Sequence, residues 1–112
     1  MTSFPDSRLR RLRGSDSMRN MARETRLSVK EFVYPLFVGH GSGMKEAIEP
    51  MPGQFQMSLD VLSEEVGEAA ELGVPAVLLF GLPAEKDPLG TEGYDPEGIV
   101  QEAVRMIKKN HP

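Results

Sequence analysis

The sequence predicts an α/β fold, on three observations. Ala76-Val77-Leu78-Leu79-Phe80 is apolar at every position and is bounded by Gly73 and Gly81. A strand with one wet face alternates apolar and polar residues, so this run reads as a strand covered on both faces. A helical pattern leads into it over Leu59 to Leu72, and another follows over Ile99 to Lys109. A second dense run, Phe32 to Val38, is rich in aromatic and β-branched side chains, which suit a strand. The order strand, helix, strand, helix is that of α/β units on a parallel sheet.

The chain of 112 residues suits one domain, although 39% hydrophobic content is a little low for a compact one. No apolar run approaches ~18 residues, so no membrane span is expected. The amino-terminal arginines are followed by no apolar segment, so no secretory signal is expected. The absence of cysteine excludes disulfides and thiolate metal ligands within this chain and is compatible with a reducing cytoplasm. Charge is uneven. Residues 1–30 carry eight Arg and Lys against three Asp and Glu, a balance of +5; residues 31–112 carry five against fourteen, a balance of −9. A basic arm before an acidic body marks a partner surface, and an acidic face on another copy of the chain is one candidate partner.

Within the arm, Arg8-Leu9-Arg10-Arg11-Leu12-Arg13 places four guanidiniums in six residues. Arginine forks bind phosphate or carboxylate in bidentate fashion. Nucleic-acid binding is nevertheless not expected, because no aromatic stacking platform or zinc ligands accompany the cluster and the remainder is acidic. A subunit-contact arm, with the leucines docking and the arginines pairing with carboxylates, fits better. Ser15 or Ser17 caps a short helix through Met18, Met21, Ala22 and Arg26, ending near Leu27. Ser28 to Glu31 has capping-box spacing but precedes a β-rich run, and reads as a turn.

Pro35 cannot donate to a ladder, so it needs a strand start, an edge or a bulge. Gly39-His40-Gly41-Ser42-Gly43 follows that strand and resembles an anion-cradling loop, yet it lacks both common phosphate fingerprints. His40 has no second ligand or acid near it in sequence, so an exposed loop at a strand's carboxyl end is the preferred reading. Pro52-Gly53 suits a type II turn, and Gln54 to Met57 a short extended piece. Ser58 is placed to cap the next helix, with Asp60 in its first turn. Leu59, Leu62, Val66, Ala69 and Leu72 make its apolar face, and Glu64, Glu65, Glu68 and Glu71 a solvated one. Gly73 ends it as a left-handed residue. After a polar loop over Gly81 to Gly93, Asp95 at the N-cap and Pro96 at the first position start the last helix. Its apolar positions are Ile99, Ala103 and Ile107, flanked by Val100 and Val104, with Lys108 and Lys109 in its last turn. Two strands and their helices leave apolar surface uncovered, so the chain reads as the front part of a longer protein.

Taken in order, Arg-Leu-Arg-Arg-Leu-Arg (8–13), Arg23 to Ser28, Tyr34 to Val38, Met51-Pro52-Gly53, Leu78 to Gly81 and Gly-Tyr-Asp-Pro-Glu-Gly-Ile-Val (93–100) resemble the porphobilinogen synthase, or 5-aminolevulinate dehydratase, family. The resemblance implies a (β/α)8 TIM barrel with an amino-terminal arm that wraps a neighbouring subunit, in a homo-octamer. Such a barrel needs about 250 residues. Residues 1–30 would then be the arm with its short helix, and residues 31–112 the first two βα units of a barrel that continues further. The implied reaction is the condensation of two 5-aminolevulinate molecules to porphobilinogen with loss of water, in cytoplasmic tetrapyrrole (heme) synthesis. Two Schiff-base lysines on later strands carry it, with zinc or magnesium as metal. Neither lysine falls in this stretch, because Lys30, Lys45, Lys86, Lys108 and Lys109 are read into turns, loops or a helix end. No catalytic residue and no metal ligand is therefore expected here, and the stretch alone is expected to be inactive.

Two positions carry over from the resemblance. Phe80 matches a residue that walls the substrate pocket, although barrel core is the commoner role for such a side chain. Arg13 matches an arm arginine that approaches an allosteric magnesium without ligating it. Leu9 departs from the family, which commonly has proline there; that loosens the preset extended shape of the arm. Two rival readings stand beside this one. The first is a small non-enzymatic interaction module that uses the basic arm, and the second is a phosphate-binding half-barrel that uses Gly39 to Gly43.

Overall fold

The structure, a computed structural model, describes residues 3, 5–6 and 10–112. Arg8 and Leu9 of the basic cluster lie outside the described residues. The described part is an α/β fold with one four-stranded sheet: β1 (Val33–Gly39), β2 (Lys45–Ala47), β3 (Phe55–Met57) and β4 (Ala76–Leu82), in the order β2-β3-β1-β4. β1 runs parallel to β4 from Val33↔Ala76 to Gly39↔Leu82. It is also parallel to β3, at Phe37↔Gln56 and Val38↔Met57 only. Pro35 is thus paired on the β4 side alone. Its missing N–H costs nothing where the other side has no strand.

Helix α1 (Asp16–Ala22) begins at Ser15, whose hydroxyl accepts from the Met18 N–H at 3.2 Å. The helix stops at Ala22, short of the expected Leu27. Arg23 leaves it with an extended backbone, and residues 10–33 are all exposed, so no packed face rewards another turn. Ser28 accepts from the Lys30 N–H and opens a single 3-10 turn over Val29–Glu31, as read.

Between β1 and β3 the chain makes a short hairpin, with β2 antiparallel to β3. Its turn is the expected type II: Met51 C=O accepts from Gln54 N–H at 3.0 Å, and Gly53 sits at φ 85°, where glycine carries no steric penalty. β2 has no apolar signature of its own and is fully exposed. Its Lys45 ammonium lies 4.7 Å from the centroid of the Phe55 ring, so this lysine is a strand residue and not the loop residue the sequence suggested.

Helix α2 (Leu59–Glu71) buries Leu62, Val66 and Ala69. Leu72, expected on the same face, is 75% exposed beyond the helix end. The end is a Schellman motif, in which Gly73 N–H bonds Ala70 C=O and Val74 N–H bonds Ala69 C=O, each at 3.0 Å. Gly73 has the left-handed φ of 85° that this requires. At the other end, Ser58 does not cap with its side chain. The hydroxyl is buried, accepts from Met44 N–H at 2.9 Å and donates to Asp60. The capping oxygen is diverted because the Met44 amide would otherwise lack a partner.

After β4 come α3 (Thr91–Tyr94) and α4 (Ile99–Asn110). The expected start of α4, with Asp95 at the N-cap and Pro96 at the first position, is three residues too early, since the N-cap is Gly98. The Asp95 side chain is used in a local turn with Glu97 N–H (2.9 Å), and its carbonyl accepts from Gly98 N–H (2.8 Å). The helix instead begins where Ile99 meets the core.

That core comprises Leu36 and Val38 of β1, Met57 of β3, Leu62 and Val66 of α2, and Ile99 and Ala103 of α4. Both long helices therefore lie on one face of the sheet. The opposite face is bare: Val33, Leu78 and Phe80 are 57%, 50% and 45% exposed. Ala76 to Phe80 is thus covered on one side only, contrary to the two-sided covering its sequence suggested.

One link between sheet and helix departs from the solvated-face reading of the glutamates. Tyr34 donates its hydroxyl to Glu65 Oε1 at 2.7 Å. That bond, partial burial, and the charges of Glu65 and Glu68 push the phenol from 10.0 up to about 12. A raised folded value favours the neutral phenol, so the stabilisation is complete below the ordinary value and is lost as pH rises from about 10 through about 12. In a Tyr94→Phe background, Glu65→Gln should bring the tyrosinate absorbance midpoint down toward the ordinary value. An unmoved midpoint would refute the pairing.

Candidate functional site at the carboxyl ends of β1 and β4

Parallel pairing brings the ends of β1 and β4 to one edge, and the two loops that leave them face each other there. The loop after β1 holds His40 between Gly39 and Gly41; the segment after β4 runs through Lys86 and Asp87 to Glu92 in α3. His40 Nε2 lies 2.9 Å from Glu92 Oε1. The same oxygen accepts from Ala84 N–H at 3.1 Å. His40 therefore does have an acid beside it, contrary to the reading from sequence. A separation of 52 residues leaves no local signal by which the pair could be found.

Glu92 is shaped by opposing influences. Partial desolvation pushes its carboxyl up, but the Ala84 N–H, the His40 hydrogen bond and charge, and the Ile99 amide together hold it below its ordinary value. Asp87 is likewise held low, first by the Thr91 hydroxyl, which donates to it, and then by the Thr91 N–H at 2.9 Å. These bonds order a loop whose turn at Gly90 needs φ 62°.

Beside Glu92 lies an open cleft of about 450 Å³, lined among others by Gly81, Pro83, Lys86, Asp87, Val100 and Gln101. Its floor depends on Gly81, where a Cβ would stand 2.5 Å from Val100 Cγ2. The cleft thus combines an apolar floor with a rim of both charges, an arrangement able to hold a small polar molecule.

Phe80 lies in β4, which continues past it through Gly81 to Leu82 rather than stopping there as expected, and it faces the bare side of the sheet. It stacks there on its register partner Phe37, with ring centroids 5.2 Å apart and planes at 22°, and it does not line the cleft. Arg10 leads into a 3-10 turn over Arg11–Arg13, and all of these residues, with Leu12, are exposed. The Arg13 carbonyl accepts from Arg19 Nη1 at 3.0 Å. Arg13 does not line the cleft.

The glycine loop is not arranged for phosphate. Gly43 N–H bonds Asp60 Oδ2 at 2.8 Å, so a carboxylate already stands where a phosphate oxygen would be held. The Ser58 hydroxyl and the Gly43 amide keep that carboxyl below its usual range. Among the described residues no three His, Asp or Glu side chains come together as a metal-holding group. Arg13, a cation, cannot ligate a metal itself.

The family model described as delta-aminolevulinic acid dehydratase matches residues 6–112. The delta-aminolevulinic acid dehydratase of Halalkalibacterium halodurans is 48% identical over 105 residues, covering 94% of this chain and 32% of that protein. That of Helicobacter pylori is 50% identical over 103 residues, covering 91% and 32%. A crystal structure of the Toxoplasma gondii delta-aminolevulinic acid dehydratase (porphobilinogen synthase), in complex with the reaction product porphobilinogen, superposes with a TM-score of 0.86 at 32% identity. The match covers 95% of this chain and 30% of that one. The chain therefore spans about a third of the length of the relatives it matches.

Proposed function

The chain belongs to the delta-aminolevulinic acid dehydratase family, and from that premise we propose that it forms the opening part of an enzyme joining two 5-aminolevulinate molecules into porphobilinogen with loss of water. The observation that carries the proposal is the bare sheet face. Its apolar side chains Leu78 and Phe80 are half exposed beside two parallel strands whose helices all lie on the opposite side. In a (β/α)8 barrel such a face turns inward and is covered by the remaining strands. On this reading residues 31–112 are the first two βα units, and residues 1–30 are an arm that contacts another copy in a homo-octamer, through Arg8 to Arg13. A cytoplasmic setting belongs to the same proposal.

The chain's own contribution is architectural. Phe80, stacked on Phe37 at the carboxyl end of the inner face, would form an apolar wall of the substrate pocket. The loops carrying His40 and Glu92 would edge its mouth. The nucleophiles would come from elsewhere: a lysine attacks a carbonyl once a dry site or a neighbouring cation lowers its proton affinity. Lys86 sits on the exposed cleft rim and Lys45 in an exposed edge strand, while Lys108 and Lys109 end α4 in solvent. Any zinc or magnesium would take its ligands from outside residues 10–112, with Arg13 at most near the magnesium.

The test is borohydride reduction of the protein expressed from the complete reading frame in the presence of 5-aminolevulinate, followed by peptide mass mapping. The expected adduct lies on a lysine outside residues 1–112. An adduct on Lys30, Lys45, Lys86, Lys108 or Lys109, or none on any lysine, would overturn the assignment.

A further inference from the structure

Beyond the dehydratase reading, we propose that His40 and Glu92 form a polar latch, tying the loop after β1 to the loop after β4 and setting how far the carboxyl-end cleft opens. The bond is 2.9 Å long and is the one side-chain hydrogen bond among the described residues that joins the two loops. Each partner sits close to glycines with positive φ and to a hydrogen-bonded anchor. His40 is followed by Gly41 and Gly43 at φ 127° and 63°, and the Gly43 amide is pinned to Asp60 at 2.8 Å. Glu92 follows Gly90 at φ 62°, and the turn before it is held by Asp87 and Thr91.

Glu92 lines the cleft whereas His40 does not. With the bond made, the carboxylate is shared between the His40 ring and the Ala84 N–H and is turned toward the neighbouring loop. With it broken, the carboxylate is free to face the cleft, and the β1 loop loses its tie across the opening.

The chemistry sets a direction with pH. A carboxylate only accepts, so Nε2 must carry the hydrogen, which both the imidazolium and one neutral tautomer provide. The acid limit of the latch is therefore the protonation of Glu92. The carboxyl is held below its ordinary value, so the latch is complete above the ordinary carboxylate range and is lost as pH falls through the depressed value. The other ionisable groups around the cleft are Glu85, Lys86 and Asp87, all on Glu92's own loop. Helix α4 presents Ile99, Val100 and Gln101 there, none of which titrates.

Amide hydrogen exchange of the full chain tests the latch. His40→Ala should speed exchange at amides 84–93, the loop it does not belong to, by about two- to fivefold, the range an exposed ion pair supplies. Glu92→Ala, which removes the acceptor, should do the same at amides 40–43, and the double variant should exceed neither single one. Variants that disturb only their own loops, or effects that add in the double variant, would overturn the proposal. A second measurement needs no variant: across the Glu92 titration, followed at its carboxyl carbon, amides 40–43 should shift with the same midpoint. Silence of that loop would equally overturn the latch. Neither failure touches the dehydratase reading, which lysine trapping tests separately.

Discussion

Gly98→Ala is expected to lower the stability of the chain by about 3 kcal/mol, at the upper end of what overpacking costs, read as a shift of the denaturant midpoint. Gly98 is buried at the point where the loop after β4 turns into α4. A Cβ there would collide with the Glu92 carbonyl oxygen and Gln101 Oε1, and would stand 3.0 Å from the Asp95 carbonyl oxygen. The φ of Gly98 is −61°, which any residue adopts, so the cost is steric and not conformational. The glutamine side chain can swing away, but two backbone carbonyls cannot move without shifting the turn that holds Glu92. Gly93→Ala is the control. Nothing lies within 4 Å of a Cβ at that position, and in a helix alanine is favoured by about 0.4–1 kcal/mol. Equal midpoints for the two variants would refute this account of Gly98.

Leu62→Ala should cost about 3 kcal/mol, within the usual range for a fully buried leucine. Leu62 has no exposed surface and packs in the cluster that joins β1, β3, α2 and α4. Removing it opens a cavity where both helices meet the sheet. Folded domains of this size have only about 5–15 kcal/mol in hand, and this one also leaves one sheet face bare. Much of its reserve would go. The matching control is Leu72→Ala, ten positions along the same apolar pattern. Leu72 is 75% exposed, so its change should stay within about 0.5 kcal/mol. Similar losses at both positions would mean that α2 does not bury the face described.

The contrast between Leu62 and Leu72 marks how far residue patterns reach. Spacing placed both on one stripe, but the Schellman turn at Gly73 ends the helix before Leu72 can pack. Features governed by neighbours along the chain were readable in advance. The Pro52-Gly53 turn, the left-handed Gly73, the runs that became β1 and β4, and the bodies of α2 and α4 all depend on contacts a few residues apart. The short strand β2 was not readable, because its exposed Lys45-Glu46-Ala47 carries no apolar signal and exists through its pairing with β3. The site was less legible still. Phe80 was placed in the right strand, although the strand runs on to Leu82, and the cleft was not foreseen. Nothing in a histidine among glycines points to a glutamate 52 residues on.

Local chemistry thus settled the order of the main elements β1, α2, β4 and α4, the family motifs and the lack of any cysteine ligand, because each rests on composition or on spacing within a turn or two. Three-dimensional packing alone decided the rest. It put both helices on one face of the sheet, moved the start of α4 from Asp95 to Gly98, turned the Ser58 hydroxyl from capping to bonding Met44, and brought His40 to Glu92. Each of these outcomes depends on which distant backbone or side-chain group lies within hydrogen-bond or van der Waals reach, and parallel pairing of β1 with β4 is what sets those distances.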